Sequence, residues 1–244
     1  NIIYPKGKQH STAHYYALAR NAATLQRDLY LRLDGPVEVL RRLGSVTVDT
    51  CGVKTLSYVP GAVLTLPAMA PGEVRPVRVS IPLLDPAPGM DLPLSFTEVT
   101  DPGPAGSPRD GFAISPLPSS VEDAARYNLV FARAVFARAA ILANSPTAAA
   151  LASKTGDFLL GNPAISSSQY VAFLRQQAAS IRQVVSSLPR PPSTCGLSTS
   201  LDLEHFLSAL GAGDPNGVAP VHSDLLQSVD TWLTLVQLAA NPGP

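Results

Sequence analysis

The spacing of apolar residues changes once along this chain, and the change constrains the fold more than any other feature. Up to about residue 100, apolar residues recur at every second position, as at Leu29, Leu31 and Leu33, which is typical of half-buried β-strands. From Ser119 onward they recur at intervals of three and four residues, which indicates amphipathic helices. The pattern predicts an α+β chain whose two regimes meet between Thr100 and Ser119.

The first half contains several period-two segments separated by Gly and Pro. Regularly spaced short strands with turn signals between them favour an antiparallel sandwich or barrel. We therefore predict a β-sandwich domain over residues 1–115, with strands at residues 29–33, 46–48, 62–66, 77–81 and 92–96.

Two short motifs in this half resemble a known class of domain. Asn21 directly follows the segment Tyr16–Arg20, and the turn Pro71-Gly72-Glu73 leads into the alternating run 75–83. The turn resembles a strand connection of bacterial immunoglobulin-like and fibronectin-III-like accessory domains, and Asn21 resembles their early strand-then-Asn step. The resemblance covers roughly residues 12 to 100. It implies an Ig-like β-sandwich that serves as a spacer, a stabiliser or a binding surface.

The second half is predicted to be a bundle of about five helices over residues 116–244. Ser119 with Glu122 and Ser166 with Gln169 have the spacing of capping boxes. Further helices are expected from Pro146, Ser200 and Ser223. The first helix has one clear apolar face, formed by Val121, Ala124, Ala125, Leu129, Ala132, Val135, Phe136, Ala139 and Leu142.

Charge and hydropathy exclude some partners. Basic and acidic residues both number 18, so the formal net charge is zero, and no overall field attracts nucleic acid. The most apolar stretch, around residues 134–143, is interrupted by Arg138 and is about half the roughly 20 residues that a membrane span needs. We expect neither nucleic-acid binding nor a membrane span.

The chain begins with Asn1 and shows no charged-then-apolar signal segment. This start indicates a processed protein or an excised piece. Together with 24 Pro residues, which suit a protease-exposed setting, it favours an exported protein. We expect an extracellular or periplasmic location.

The two cysteines, Cys51 and Cys195, fall one in each half. A disulfide between them would close a long loop and stabilise the chain by about 4 to 5 kcal/mol. The alternative is two buried thiols, because free cysteine is among the most buried residue types. Neither interpretation is catalytic.

The sequence contains no recognised catalytic or cofactor motif: G-x-S-x-G, H-E-x-x-H, P-loop and G-x-G-x-x-G patterns are all absent. His10 and His14 would share a face on a helix, but on a strand they would lie about 13 Å apart. Because their segment is predicted to be extended, we expect no shared metal. No catalytic residue, metal ligand or cofactor is predicted.

Two groups of residues are candidates for an interface. Arg126 and Arg133 lie seven positions apart on the first helix, where planar guanidinium groups can bind carboxylates of a partner. Tyr4, Tyr15 and Tyr16 lie in an extended start that can add a strand to a neighbouring chain. The alternatives are a solvated arginine face and a segment that docks on its own sheet.

These observations favour a non-catalytic structural or interaction protein that acts by protein-protein contact, as a homo-oligomer or bound to another chain. A second hypothesis is an accessory subunit or C-terminal fragment of a larger secreted hydrolase. A third is an enzyme with an unrecognised site between the two halves. A cleft that gathers titratable groups with shifted pKa values would favour the third.

Overall fold

The computed structural model describes residues 11–34, 46–49, 53–56, 63–83, 92–99, 105–114, 120–191, 197 and 199–240. The chain divides into two compact units, Asn1–Leu117 and Pro118–Pro244. All eight described strands belong to the first unit and all five described helices to the second. The α+β class is therefore confirmed.

The described strands of the first unit form two antiparallel sheets of four strands each. Their orders are β1-β6-β3-β4 and β5-β2-β7-β8. The strands are β1 (Ser11–Arg20), β2 (Arg27–Asp34), β3 (Val46–Asp49), β4 (Val53–Leu56), β5 (Val63–Met69), β6 (Val74–Leu83), β7 (Leu92–Val99) and β8 (Ala105–Ile114).

The last strand differs from the sequence-based prediction. The many Pro and Gly of residues 100–108 predict a loop, yet β8 begins at Ala105. Pro108 pairs with Thr97, where the register of β7 and β8 shifts. Since β8 is an edge strand with a ladder on one side only, a residue without an N–H group is tolerated there.

Asn21 joins two of the places where the chain crosses between the sheets, the β1–β2 and β5–β6 connections. It lies fully buried between β1 and β2, close to the turn between β5 and β6. Its N–H donates to the carbonyl of Glu73 at 3.0 Å, and its carbonyl accepts from the N–H of Gly72 at 2.9 Å. Gly72 has a φ of 72°, a left-handed conformation that glycine adopts at little cost.

The side chain of Asn21 bonds the same turns. Its Nδ2 lies 2.9 Å from the carbonyl oxygens of Leu25 and Met69. Its Oδ1 accepts from the Ala23 N–H and from Nε of Arg27, each at 3.0 Å. A buried amide is stable only when its donors and acceptors are paired, and here one residue pairs with both crossings.

Glu73 closes the turn that contacts Asn21. Its carboxylate accepts from the Ala70 N–H at 2.8 Å and from Nη2 of Arg75 at 2.8 Å. Partial burial alone would raise the pKa of Glu73, but these two donors hold the pKa below its usual value of 4.5. The two motifs singled out in the sequence therefore lie in direct contact.

The second unit contains five described helices, the number expected from the sequence. The helix that starts at Pro146 ends at Gly161, eight residues beyond Ser153, near which the sequence predicts its end. The helices are α1 (Val121–Leu142), α2 (Pro146–Gly161), α3 (Ser167–Ser186), α4 (Thr199–Ala212) and α5 (Pro215–Ala240).

The helix starts match the predictions unevenly. The capping box of Ser166 and Gln169 is confirmed at the start of α3. The predicted cap of α1 is wrong by one residue, because Ser120 rather than Ser119 accepts the N–H of Asp123. Glu122, the expected capping partner, instead accepts a hydrogen bond from the hydroxyl of Ser167.

The last helix begins at Pro215 rather than at Ser223. The carbonyl of Asp214 accepts the N–H groups of Gly217 and Val218, at 3.0 and 2.9 Å, and Pro is favoured at the first helical position. Pro220 lies inside α5. Its position in the second turn limits the loss to one early backbone hydrogen bond.

The core of the helical unit is built around α1, which packs against both α2 and α5. Several of its buried residues are alanines, so the helices approach closely. The buried face of α1 consists of Ala124, Ala125, Asn128, Leu129, Ala132, Val135, Phe136 and Ala139.

We predict that Asn21→Ala destabilises the strand unit by about 3 kcal/mol, because buried carbonyls and N–H groups lose their partners. Hydrogen exchange of peptides from β1, β2, β5 and β6, measured in the full chain, should become faster. The exposed Gln26→Ala is the control. Equal exchange in the two variants would show that Asn21 does not hold the crossings together.

Candidate functional site

Several sequence-predicted site residues lie outside the described residues: Tyr4, His10, Cys51 and Cys195. The proposed disulfide and the proposed N-terminal contact thus stay predictions. Tyr15 and Tyr16 lie on β1, opposite Val79 and Arg78 of β6. His14 lies on the same strand, in the extended conformation expected for it. β1 is an edge strand of its sheet.

The two candidate arginines lie on the side of α1 that faces α2. Nη1 of Arg126 donates to the carbonyl of Pro163 at 3.0 Å. The guanidinium group of Arg133 lies over Gly156, where an added Cβ would come within 3.2 Å of its Nε. Both arginines are exposed. Their contacts with Pro163 and Gly156 place them together along one border of the helix.

Arg138 marks the opposite border, towards α5. Its Nη1 lies 2.8 Å from a carboxylate oxygen of Asp230 and 2.9 Å from the hydroxyl of Thr234. Its Nη2 donates to Gln237. Within the described part of the chain, this is the one ion pair that connects α1 to α5. It neutralises the charge of Arg138.

Between these borders lies a second apolar face of α1, which the sequence analysis missed. We call it the α1 outer face, and its members are Tyr127, Val130, Ala134, Ala137 and Ile141, all of which are exposed. Val130 is 53% and Ile141 81% exposed. The spacing of three, four, three and four residues is the heptad pattern by which helices pair.

The α1 outer face differs from the exposed side of α3. The exposed side of α3 carries polar residues such as Gln169, Gln176 and Arg182, as expected for a helix at the surface of a globular protein. α1 has apolar residues on both sides instead. Within Val121–Leu142, the apolar residues outside the buried face also have heptad spacing. That spacing was the sequence signal that would have identified the α1 outer face.

A buried polar cluster links three helices in the core. Nδ1 of His222 on α5 and the hydroxyl of Tyr170 on α3 are 2.6 Å apart. Nδ2 of Asn128 on α1 donates to that hydroxyl at 3.1 Å and to the carbonyl of Ala219 at 2.9 Å. All three side chains have no measurable exposure.

His222 is held in the neutral state. Its ring stacks on Phe206 with the centroids 5.1 Å apart, and its Nε2 has no hydrogen-bond partner among the described residues. Burial lowers the pKa of His222 from 6.5 to about 3. A fully buried imidazole of this kind has the contacts of a core residue and no access to a substrate.

One surface groove is lined by both polar and apolar residues. It has a volume of about 570 Å³ and lies where α1, α3 and the α4–α5 turn meet; among its lining residues are Glu122, Ser166, Ser168, Arg175 and Gly213. Its charged groups are engaged, since Glu122 accepts from Ser167, which lowers the pKa of the Glu122 carboxyl, and Arg175 donates to the carbonyl of Leu210.

The described residues contain no group of three or more His, Cys, Asp or Glu side chains placed to hold a metal ion. None of the helices described is both long and apolar enough to cross a bilayer.

Comparisons with protein-family models, with curated proteins and with solved structures find no match for this chain.

We predict that stability of the helical unit falls as the pH drops below 6.5. The unfolded chain binds a proton at His222 near pH 6.5, whereas the folded chain binds it only near pH 3. The free energy of unfolding should therefore decrease by about 2 kcal/mol between pH 7 and pH 5. Urea unfolding followed by fluorescence of Trp232, the single tryptophan, measures it.

His222→Gln should remove most of this pH dependence, and the exposed His205→Gln should leave it unchanged. An unchanged slope in His222→Gln would mean that another group takes up the proton.

Proposed function

We propose that this chain is a non-catalytic protein that acts by contact with another protein, and that the α1 outer face is the contact surface. The observation that carries the proposal is an exposed apolar stripe on a helix whose inner side is also apolar. A contiguous exposed apolar patch of this kind is typical of an interaction site.

The free energy of apolar burial favours a state in which the α1 outer face is covered. Burying a Val or Ile side chain fully stabilises a structure by roughly 1.5 to 3 kcal/mol relative to leaving it in water. Val130 and Ile141 are more than half exposed, so most of that free energy is still available. The α1 outer face spans 15 residues from Tyr127 to Ile141, about 21 Å of helix.

The other polar features support contact rather than catalysis. The His222 cluster is sealed within the core, and the charged groups of the surface groove already have partners within the helical unit. An active site needs titratable groups that reach a substrate. The α1 outer face needs only shape and apolar area.

For the strand unit we propose an Ig-like β-sandwich that supports the helical unit as an accessory domain. Two antiparallel sheets of four strands support this proposal. So does the position of Asn21, where two of the crossings between the sheets meet. The proposal keeps the sequence-based expectation of an exported protein.

We predict that a photo-crosslinking amino acid at Ile141 forms a discrete adduct in native extract and that Val130→Asp abolishes the adduct. Aspartate on an exposed position leaves the fold intact but costs desolvation in an apolar interface. Mass spectrometry of the crosslinked product measures the result, with Trp232 fluorescence as the check on folding.

The control is the same crosslinker at Ala179 on the exposed side of α3, which should give no such adduct. Equal labelling from the two positions, or an adduct that survives Val130→Asp, would rule out the α1 outer face as the contact surface.

A further inference from the structure

The charges beside the α1 outer face indicate what kind of partner fits it. From Ala124 to Leu142, α1 carries three arginines and no carboxylate. The charge of Arg138 is compensated by Asp230. Arg126 and Arg133 make no ion pair with any described carboxylate, and the carbonyl of Pro163 that binds Arg126 does not neutralise its charge. One border of the face is therefore basic.

The basic border disfavours a second copy of this chain. In a two-fold antiparallel pairing centred on Ala134, the Arg133 side chains of the two copies would lie side by side. In a parallel pairing, Arg133 of one copy would meet the border of the other that carries Arg138. The antiparallel arrangement brings like charges together, which is destabilising at helix-pair borders. The parallel arrangement offers Arg133 no free carboxylate, because Asp230 is already paired with Arg138.

We propose that the α1 outer face binds an amphipathic helix of another protein, one that carries Asp or Glu beside its apolar stripe. This inference rests on the proposed function and deepens it by naming the partner's chemistry. The heptad spacing of the face matches the apolar stripe of such a helix. The acidic side of the bound helix lies towards α2, because Arg126 and Arg133 are on that border.

The spacing of the arginines sets the spacing of the carboxylates. Arg126 and Arg133 are seven residues apart, which corresponds to about 10 Å along the helix. Carboxylates at the same heptad position of two successive heptads would reach one arginine each. Planar guanidinium groups can bind such carboxylates through two parallel hydrogen bonds.

Leu160 extends the apolar surface on the same side. It lies on α2 between Gly156, which contacts Arg133, and Pro163, which contacts Arg126. Its side chain is 82% exposed. A helix seated on the α1 outer face with its acidic side towards α2 would cover Leu160 as well.

The size of the α1 outer face determines the expected binding affinity. Ala134 and Ala137 at its centre permit close approach, and Tyr127 and Ile141 are the larger side chains at its ends. Three to four turns of one helix bury less than the roughly 1,200 Å² of a standard stable interface. Binding should therefore be weak, in the micromolar range, and should weaken further as salt screens the charges.

The test uses two labelled synthetic helical peptides with the same Leu and Ile heptad positions. One carries Glu at the border positions and the other carries Lys. Fluorescence anisotropy with the full chain should show binding of the Glu peptide that weakens with added salt. The Lys peptide should bind at least tenfold more weakly.

A charge reversal separates recognition from mere structural damage. The double variant Arg126→Glu and Arg133→Glu should weaken the Glu peptide at least tenfold and strengthen the Lys peptide. The matched control is Arg182→Glu on α3, an exposed arginine, which should leave both affinities unchanged. Val130→Asp should weaken both peptides, since it disrupts the apolar stripe.

The remaining outcomes overturn the inference in distinguishable ways. If both peptides bind equally and Val130→Asp weakens both, the charge assignment is wrong while the contact function stands. If light scattering shows a dimer that Val130→Asp dissociates, the occupant is a second copy. If neither peptide binds at millimolar concentration, the acidic helix is wrong, and if the Ile141 adduct is also absent, the proposed function fails with it.

Discussion

The amide of Asn128 fixes the rotation of α1, and the rest of the helical unit depends on that rotation. Its two donated bonds go to different helices, one to the hydroxyl of Tyr170 on α3 and one to the carbonyl of Ala219 on α5. The alanines around it would allow α1 to turn or slide at small cost. A buried amide does not allow this, because any rotation leaves its N–H groups unpaired. The same bonds therefore determine which residues point outward.

The neutral His222 extends this constraint into the core. With Tyr170 at its Nδ1 and Phe206 against its ring, the imidazole fills a space that neither a smaller nor a charged side chain would fill as well. Burying polar groups is costly unless they are paired. In return for this cost, the polar cluster specifies a unique arrangement of α1, α3 and α5. An interior of alanine and leucine alone specifies the arrangement less well.

The sequence predicted the architecture better than it predicted the exposed surface. Period-two and helical spacing correctly predicted the α+β class, and the Ser166–Gln169 capping box was correct because its pattern is local. β8 was missed because tolerance of Pro108 depends on its being an edge strand, which only the sheet order shows. Asn128 was missed because a single polar residue on an apolar face looks like an interruption until its partners on other helices are known. The candidate arginines were found, but the apolar stripe beside them was not.

The strand order of the first sheet delays the pairing of β1 in the newly made chain. β1 pairs with β6, from Ser11 opposite Leu83 to Arg20 opposite Val74. Forming this ladder closes a long loop, which costs conformational entropy. In the helical unit, by contrast, α1 meets α2 and α4 meets α5 directly along the chain. During synthesis β1 has no ladder partner among the described strands until the ribosome has passed Val74, the first residue of β6. Until then its open edge is available to any other extended chain, whereas each helix pair gains its partner as soon as it is made.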